Sequence, residues 1–447
     1  MSGIETSGRK AKSSKRKVKL MDRGHAIKKQ IGDLVEEYFS RQPKEEFKPG
    51  STKIPLISPT YGWEEVNEAI DSMLTTQVTM GAKVKQFESM FAAYIGVRHA
   101  IMVNSGSSAN LLALSALTNP AIRNQIKPGD EIITPAVTWA TTVWPIINCG
   151  AVPVLVDVDL ETFNINPREI KKAITGKTRA IMPVHLLGNP CDMDKITEIA
   201  REHNLYIIED ACEAHGAEFK DQKAGSFGDL ATFSFFFSHH ISTIEGGMVL
   251  TNSEELAELA RAQRVFGWIR DLKDKDKIAK EHKGIDPRYL FANIGYNFRP
   301  MEIQGAFGIH QLKKLDQFIE MRRQNAKYWF TNLRKYEDYL LLHSEREGTK
   351  HVWFGYPITV KPSAPFTREE LMNFLEGKGV ETRPIMAGNI AEQPAMRLLN
   401  HRRVGELPNS RFIMRNSFFF GNHIGIGEEE RVAIVDYIRE FMARVIR

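Results

Sequence analysis

Short apolar runs alternate with longer amphipathic segments through the middle of the chain. The runs include "AIMV", "EIITP", "VPVLV", "AIMPV" and "LYIIED", and segments with helical spacing such as "SSANLLALSAL" and "DMDKITEIAREHN" lie between them. This alternation is typical of βαβ units, which build a mostly parallel sheet. The pattern therefore predicts an α/β fold with helices on both faces of that sheet.

Different patterns flank this central region. The segment "HAIKKQIGDLVEEYFSRQ" has helical spacing, and the Pro- and Gly-containing stretch "KPGSTKIPLISPTYG" interrupts it. A long helical stretch beginning at "PMEIQGAFG" precedes further runs and helices of an α+β type. We accordingly divide the chain into a tail (1–22), an N-terminal helix and linker (23–54), a large domain (55–312), and a long helix with a small C-terminal domain (313–447).

The net charge of +5 is concentrated at the start of the chain. Residues 1–20 hold seven Lys and Arg against one Glu, which leaves about −1 for the rest. We interpret residues 1–22 as a disordered basic tail, with contact to a membrane or a polyanion as the alternative, and expect no nucleic-acid partner. Because the chain has no run of eighteen apolar residues and no apolar signal core, we expect a cytoplasmic protein without a membrane segment.

The cysteine content limits the chemistry further. Cys149, Cys191 and Cys212 are the three cysteines of the 447 residues, and they form no CxxC pair. This usage fits a reducing compartment, and it favours structural thiols over an iron–sulfur cluster held by this chain.

Candidate functional residues follow the apolar runs, because ligands of parallel sheets bind beyond the carboxyl ends of the strands. Gly106 and Ser107 of "NSGSSAN" open a helix, where they either bind a phosphate or simply cap the helix. Trp139 either stacks on a flat ligand or packs in the protein. Asp210 either keeps a heterocyclic nitrogen protonated or caps a turn.

A histidine pair, His239 and His240, follows Ser234 in "SFFFSHHISTIEGG". We predict a strand here, so the two side chains would face opposite ways, one into the site and the other into the packing. Adjacent histidines do not easily share one zinc ion, and neither HExxH nor a cysteine pair is nearby. We therefore expect no metal.

Several motifs, taken in order, resemble one family. They are "MGAKVKQFESMFAAYIGVRHA", "NSGSSAN", "TPAVTWATT", "VHLLGNP", "IIEDACEAHGA", "GSFGDLATFSF", "EGGMV" and "GYNFRPMEIQGAFG". From about residue 55 onward the chain is similar to the DegT/DnrJ/EryC1/StrS nucleotide-sugar aminotransferases. The resemblance implies the type I aminotransferase fold, with a mostly parallel seven-stranded sheet, and pyridoxal 5'-phosphate as the cofactor.

The resemblance also implies roles for individual residues. Gly106, Ser107 and Ser234 would bind the cofactor phosphate, and Asn297 would reach it from a neighbouring subunit of a homodimer. Trp139 would stack on the pyridine ring. Asp210 would pair with the ring nitrogen, and Glu213 would lie near the ring hydroxyl, where family members often have Gln.

The chain departs from the aminotransferases at His239, where they have the lysine that anchors the cofactor. Imidazole transfers protons near neutral pH, but it forms no stable Schiff base. This pattern resembles the sugar 3-dehydratases, which hold the cofactor noncovalently as pyridoxamine 5'-phosphate. The segments "FSHHISTIEGG", "FGWIRDLKDKDK", "TRPIMAGN" and "FFFGNH" resemble the GDP-4-keto-6-deoxy-D-mannose 3-dehydratase type in particular.

The expected reaction is therefore removal of the C3 hydroxyl from a nucleotide-linked 4-keto-6-deoxy sugar, with L-glutamate restoring the pyridoxamine form. A sugar aminotransferase and a non-catalytic binding protein are the alternatives. His239 is the expected acid and base, and His240, Arg299 and Arg383 are candidate substrate contacts. A sister group of dehydratases uses an iron–sulfur cluster, but the cysteines of that cluster are missing from "GWIRDLKDKDKIAKEHKG", so we expect no cluster.

Overall fold

The computed structural model describes residues 5–43 and 46–446, and the side chains of its first helix are described from Arg23 onward. That helix, α1, spans Glu5–Ser40. The structure thus differs from the prediction of a disordered tail over residues 1–22, because the backbone is helical from residue 5; residues 1–4 lie outside the described residues. Lys, Arg and Ala have a high intrinsic helix propensity. This propensity favours a helix over residues 5–22, although the sequence of that segment has few apolar residues.

Twelve further α-helices follow in the described part of the chain. They are α2 (Trp63–Leu74), α3 (Ala82–Ile95), α4 (Gly106–Leu117), α5 (Ala140–Asn148), α6 (Pro167–Ala173), α7 (Met193–His203), α8 (Glu254–Arg264), α9 (Lys275–Glu281), α10 (Glu302–Leu333), α11 (Arg368–Gly377), α12 (Pro408–Asn416) and α13 (Glu428–Val445).

Three sheets contain the strands. The strands are β1 (His99–Val103), β2 (Glu131–Pro135), β3 (Val152–Val156), β4 (Thr178–Ile181), β5 (Tyr206–Asp210), β6 (Glu218–Phe219), β7 (Gln222–Lys223), β8 (Leu230–Ser234), β9 (Gly247–Thr251), β10 (Leu340–Leu342), β11 (Thr349–Lys350), β12 (Gly355–Val360), β13 (Thr382–Pro384), β14 (Arg402–Arg403) and β15 (Ser417–Gly421).

The large sheet has the strand order β1-β9-β8-β5-β4-β2-β3-β14. Its strands are parallel except β9, which is antiparallel to both of its neighbours. The α/β fold class is confirmed, and the sheet has eight strands where seven were predicted. The eighth is the two-residue strand β14, which the C-terminal part of the chain adds beside β3. Arg402 holds it there through two hydrogen bonds to the Glu131 carboxylate, 2.9 and 2.8 Å long.

Helices cover both faces of the large sheet. On one face, α3 and α10 pack against an aromatic cluster that includes Phe91, Phe233 and Phe235. On the other face, α4 and α8 bury Leu112, Ala113 and other small apolar side chains. The small C-terminal sheet, with the order β10-β12-β15-β13, is antiparallel and has its own core.

Helix α10 belongs to both domains. Its first half packs on the large sheet through Leu312 and Phe318, and its second half enters the small-domain core through Trp329 and Leu333. The predicted boundary at residues 312 and 313 therefore falls inside one continuous helix. The two domains share a structural element, and no linker separates them at that point.

Candidate active site

The amino end of α4 lies at the carboxyl end of β1 and presents small residues to a cavity. Ser105 caps the helix, because its Oγ accepts the Ser108 backbone N–H at 3.1 Å. A side chain at Gly106 would collide with the Ser234 side chain, so only glycine lets the helix end approach this closely. Ser107 is exposed beside it. Backbone N–H groups, hydroxyls and a helix amino end together suit a phosphate.

Asp210 ends β5, and its carboxylate lines the same cavity. Its Oδ2 accepts hydrogen bonds from Asn110 Nδ2 at 3.0 Å and from Thr142 Oγ1 at 2.8 Å, and its Oδ1 accepts one from the Cys212 backbone N–H at 3.2 Å. A carboxylate offers about four acceptor positions, so three donors orient the group and leave it able to accept one more. A protonated ring nitrogen is such a donor.

The cavity has a volume of about 400 Å³ and one exposed aromatic wall. Trp139 precedes α5, and 55% of its surface is exposed, which makes its indole available for stacking on a planar ligand. The lining combines this indole with the phosphate-binding elements and the carboxylates; it includes Ser105, Gly106, Ser107, Thr138, Trp139, Asp210, Cys212, Glu213, Ser234, Phe236, Ser238, His239, Glu245, Phe354 and Met386.

Glu213 is a second carboxyl group in this cavity. Its Oε2 accepts the Leu187 backbone N–H at 2.6 Å. Burial raises the pKa of Glu213 to about 8, and the nearby Asp210 charge adds to this effect against the opposing Leu187 hydrogen bond. The group is therefore mostly a neutral acid at pH 7, with a proton to donate. In that state it offers a ligand the same donor that a glutamine would.

The histidine pair lies in the loop between β8 and β9, so the prediction of a strand here is wrong. Strand β8 ends at Ser234. Of the residues that follow, Phe235 and Ile241 pack in the core, whereas Phe236 is exposed. His239 lines the cavity, and its Nδ1 has no hydrogen-bond partner in the described residues. Burial, together with the positive charge of Arg322, lowers the pKa of His239 to about 3, so the imidazole is neutral at physiological pH.

His240 lies behind the cavity wall, inside the protein. It is fully buried, and its Nε2 lies 2.9 Å from the Val352 carbonyl, to which it donates. It does not line the cavities described here. Both histidine rings lie near the rings of His215 and Phe354, so they do not face opposite ways as a strand would require. They differ in access to the cavity: His239 lines it, whereas the His240 ring is bonded to the backbone, and the structure does not bring His240 to the predicted substrate contact.

The segment of residues 351–354 is bonded to residues 187 and 188 behind the cavity wall. The Val352 and Phe354 backbone N–H groups donate to the Gly188 and Leu187 carbonyls at 3.0 and 2.8 Å. Trp353 and Leu187 both have positive φ angles, 50° and 53°. A non-glycine residue held in this region costs on the order of 1–3 kcal/mol, so the surrounding contacts must hold the segment in place.

A second cavity of about 300 Å³ adjoins the first. Four residues line both: Ser238, His239, Phe354 and Met386. Arg383 lines the second cavity from β13, where the sequence analysis placed a candidate substrate contact. Asn297 and Arg299 line neither cavity; both are exposed, and Arg299 Nε donates to Asn297 Oδ1 at 3.0 Å.

Sequence reasoning missed several residues of these walls. Asn110 and Thr142 hold Asp210, and Ser238, Glu381 and Arg322 line one or both cavities. Asn110 and Thr142 lie within quoted motifs and one turn into α4 and α5, a position that could have suggested them. Arg322 lies on α10, far from those motifs, and carries no sequence signal.

The donor set fits pyridoxal phosphate. The amino end of α4 and the nearby hydroxyls suit its phosphate. Trp139 suits its pyridine ring, and the oriented Asp210 carboxylate suits the ring nitrogen. Glu213 supplies a donor for a ring oxygen.

In residues 5–43 and 46–446, no group of three or more His, Cys, Asp or Glu side chains is arranged to hold a metal ion. Within the same ranges, no helix combines the length and apolar character needed to cross a membrane.

The fold and the site together define a pyridoxal-phosphate enzyme of the aminotransferase type. A model of the DegT/DnrJ/EryC1/StrS aminotransferase family matches residues 59–439. The chain belongs to this family.

The comparisons also identify similar individual proteins. The chain is 42% identical over 373 residues to the GDP-4-keto-6-deoxy-D-mannose 3-dehydratase of Yersinia pseudotuberculosis, covering 83% of this chain and 94% of the relative. It is 38% identical over 421 residues to the dTDP-4-dehydro-2,6-dideoxy-D-glucose 3-dehydratase of Saccharopolyspora spinosa, covering 92% and 91%. A crystal structure of GDP-4-keto-6-deoxymannose-3-dehydratase with a trapped PLP–glutamate geminal diamine matches with a TM-score of 0.81 at 37% identity, covering 86% and 99%.

Proposed function

We propose that the chain is a pyridoxal-phosphate-dependent 3-dehydratase of a nucleotide-linked 4-keto-6-deoxyhexose. The product is a 3,6-dideoxy-4-keto sugar, and L-glutamate restores the pyridoxamine form. One observation carries the proposal: a neutral imidazole, His239, lies in the cavity wall, and no lysine is among the described residues that line this cavity. Such a site has no amine to anchor the cofactor, but it retains a group that transfers protons.

When bound, the cofactor supplies an amine for the sugar ketone and an electron sink that labilises the adjacent bonds. Gly106, Ser107 and Ser234 bind its phosphate, Trp139 stacks on its ring, and Asp210 keeps the ring nitrogen protonated. These contacts hold the reacting carbon next to His239 without a covalent bond. His239 lines both cavities, which supports a position for its imidazole between a cofactor in the first and a substrate in the second.

His239 performs the proton transfers in this proposal. It is neutral at rest, so it can accept a proton from the carbon that bears the amine. Burial and the Arg322 charge make the resulting imidazolium a strong acid, which readily gives its proton to the departing C3 hydroxyl. A hydroxide is a poor leaving group, and protonation lets it leave as water. Hydrolysis then releases ammonia and the 3-deoxy-4-keto sugar.

The test is an assay of product and ammonia. The enzyme is incubated with cofactor, glutamate and a 4-keto-6-deoxyhexose linked to GDP, CDP or dTDP in parallel reactions. We expect one of them to give a product that lacks one oxygen, together with an equal amount of ammonia. An amino sugar that keeps its C3 hydroxyl, with no ammonia, would instead establish the aminotransferase alternative. Cofactor binding without any product would establish the non-catalytic alternative.

Glu213 gives the site a pH dependence that can be measured. As the pH rises through about 8, the Glu213 carboxyl loses its proton, and with it the hydrogen bond that it donates to the ring oxygen. We expect cofactor affinity to fall above pH 8 for this reason. Glu213→Gln, which stays neutral, should keep its affinity up to pH 10. Fluorescence titration with pyridoxamine 5'-phosphate between pH 6 and 10 measures the difference, and parallel curves for both proteins would contradict this role.

We also propose that the enzyme works as a homodimer. Large apolar side chains are exposed in the cavity wall, at Phe236, and in the segment just before Asn297, at Phe291 and Ile294, the last of which is 91% exposed. This segment reaches the end of β1, where the Phe298 carbonyl accepts the Asn104 N–H at 3.0 Å. Such a patch suits contact with another protein surface, and Asn297 lies beside it in sequence. A second copy covering the patch would bring Asn297 to the phosphate of its neighbour and bury apolar surface that water otherwise contacts.

A further inference from the structure

His215 is a buried imidazole that the proton transfers proposed for His239 do not use. It lies just after β5, in the motif "EDACEAHGA", and 0% of its surface is exposed. Among residues 5–43 and 46–446, neither its Nδ1 nor its Nε2 has a hydrogen-bond partner. Polar atoms that are buried without a partner are rare and costly in folded proteins, so the position of this ring calls for an explanation.

Two further imidazoles adjoin this ring. The ring centroid of His215 lies 6.0 Å from that of His239 and 5.5 Å from that of His240. Aromatic side chains pack against it as well, with ring centroids 5.3 Å away for Phe233 and 5.5 Å away for Phe235. The three histidines thus form a polar cluster inside aromatic packing, behind the cavity wall that His239 lines.

His240 sets the direction of hydrogen bonding in this cluster. Its Nε2 lies 2.9 Å from the Val352 carbonyl, which only accepts, so this nitrogen carries a proton. Burial lowers the pKa of His240 well below its ordinary value, and a neutral imidazole has a single N–H. Its Nδ1 is therefore an acceptor. That nitrogen is buried and has no partner in the part of the chain that the structure describes.

The two ring nitrogens of His239 differ in their surroundings. Nδ1 is buried without a partner among the described residues, whereas Nε2 is not enclosed in this way and is the nitrogen that opens to the cavities. To accept a proton at Nε2, the neutral ring must carry its own hydrogen on Nδ1. That buried N–H then needs an acceptor.

The four unpartnered nitrogens of the cluster match one another as donors and acceptors. A neutral His215 has a lone pair for the Nδ1–H of His239 and an N–H for the Nδ1 of His240. One water molecule spans such a gap between facing ring nitrogens. We propose that His215 is a positioning residue for His239, and that this chain of three imidazoles holds the His239 Nε2 lone pair toward the cavities. The chain ends on the Val352 carbonyl, which fixes its direction.

This role rests on the proposed function and deepens it. An acceptor on the Nδ1–H of His239 makes the Nε2 lone pair more basic and stabilises the imidazolium that forms. Burial lowers the pKa of His215 well below its ordinary value, and a positive charge on His239 or Arg322 lowers it further. The Ser234 carbonyl opposes this shift without reversing it. His215 is therefore neutral and has the lone pair that the role requires.

The experiment separates hydrogen bonding from packing at position 215. His215→Phe keeps a planar ring among aromatic neighbours but has no nitrogen, whereas His215→Gln has both an acceptor and a donor. Rates are measured for two half-reactions: conversion of the aldehyde form of the cofactor to the pyridoxamine form by glutamate, and a single turnover of the nucleotide sugar by the pyridoxamine form. His239 transfers protons in both. We expect His215→Phe to slow both by about 10- to 100-fold and His215→Gln to stay within about threefold of the wild type.

The dependence on glutamate concentration distinguishes this role from a structural one. The limiting rate of His215→Phe should fall while the half-saturating glutamate concentration changes less than about threefold, because the lost interaction acts on proton transfer and not on binding. General damage to the site would change both quantities. Wild-type rates in His215→Phe would overturn the inference, as would a loss in one half-reaction alone or an equal loss in His215→Gln.

A measurement on the wild-type enzyme decides the question if His215→Phe does not fold. The ¹⁵N NMR spectrum of ring-labelled histidine is recorded for the pyridoxamine form, and the His239 signals are those that His239→Asn removes. We expect a neutral ring with its proton on Nδ1, and a proton on Nε2 would overturn the inference. Failure of the proposed function would show differently: glutamate would still restore the pyridoxamine form, but no sugar would be deoxygenated.

Discussion

Replacing His239 with asparagine is expected to lower the rate of deoxygenation by about 10²- to 10⁴-fold, the usual contribution of a positioned acid and base. Asparagine fills part of the same space but does not accept and return a proton. Cofactor binding should change less than about threefold, because His239 forms no covalent bond to the cofactor in our proposal. Single-turnover product formation and cofactor titration measure the two effects.

The adjacent histidine provides the control. His240→Gln removes a buried ring that donates to the Val352 carbonyl, so it should lower the free energy of unfolding by about 1–3 kcal/mol and leave the single-turnover rate near that of the wild type. Chemical denaturation measures the stability. An unchanged rate in the His239 variant would contradict its role in proton transfer. A large loss of rate in the His240 variant without a loss of stability would contradict the structural role of His240.

The Asp210→Asn variant should lose about 10²- to 10³-fold in rate for both half-reactions, because a neutral amide no longer stabilises a protonated ring nitrogen. In the wild type, one carboxylate oxygen accepts hydrogen bonds from Asn110 and Thr142, and the other accepts one from the Cys212 N–H. The NH₂ group of asparagine replaces one of these oxygens and faces a donor that it does not accept. Stopped-flow measurements of each half-reaction test this expectation.

Thr142→Val is the matched control for Asp210. It removes one hydrogen bond to the carboxylate but keeps the charge. The loss of one such bond is worth about 1 kcal/mol, so the rate should fall by roughly fivefold. If both variants lost the same factor, the orientation of the carboxylate and not its charge would be the important property.

The sequence predicted those parts of the site that depend on strand order. Gly106, Trp139 and Asp210 each follow an apolar run, and parallel strands bring their carboxyl ends to one edge of the sheet. Local pattern is sufficient for such residues. It is also sufficient for the α/β class, because the alternation of runs and helices determines the sheet.

Other features depend on contacts between distant parts of the chain. The aromatic run before His239 favoured a strand, but β8 ends at Ser234; Phe235 then packs in the core and Phe236 is exposed in the loop. Strand β14 exists because Arg402 reaches Glu131, 271 residues earlier. Arg322 is buried by the Asn422 and Trp353 carbonyls. No spacing in the sequence indicates any of these contacts.

The segment of residues 351–354 limits which sequence changes the site tolerates. It meets the rest of the site through main-chain groups: N–H groups of Val352 and Phe354 on one side, and carbonyls toward His240 and Arg322 on the other. Most substitutions leave such groups in place, whereas one inserted residue would displace the contacts of both cavities together. The side chains are constrained as well, because Val352 and Trp353 are buried in the hydrophobic cores and Phe354 lines both cavities. Variation here is therefore expected to be strict in loop length and limited to apolar side chains that fill the same space.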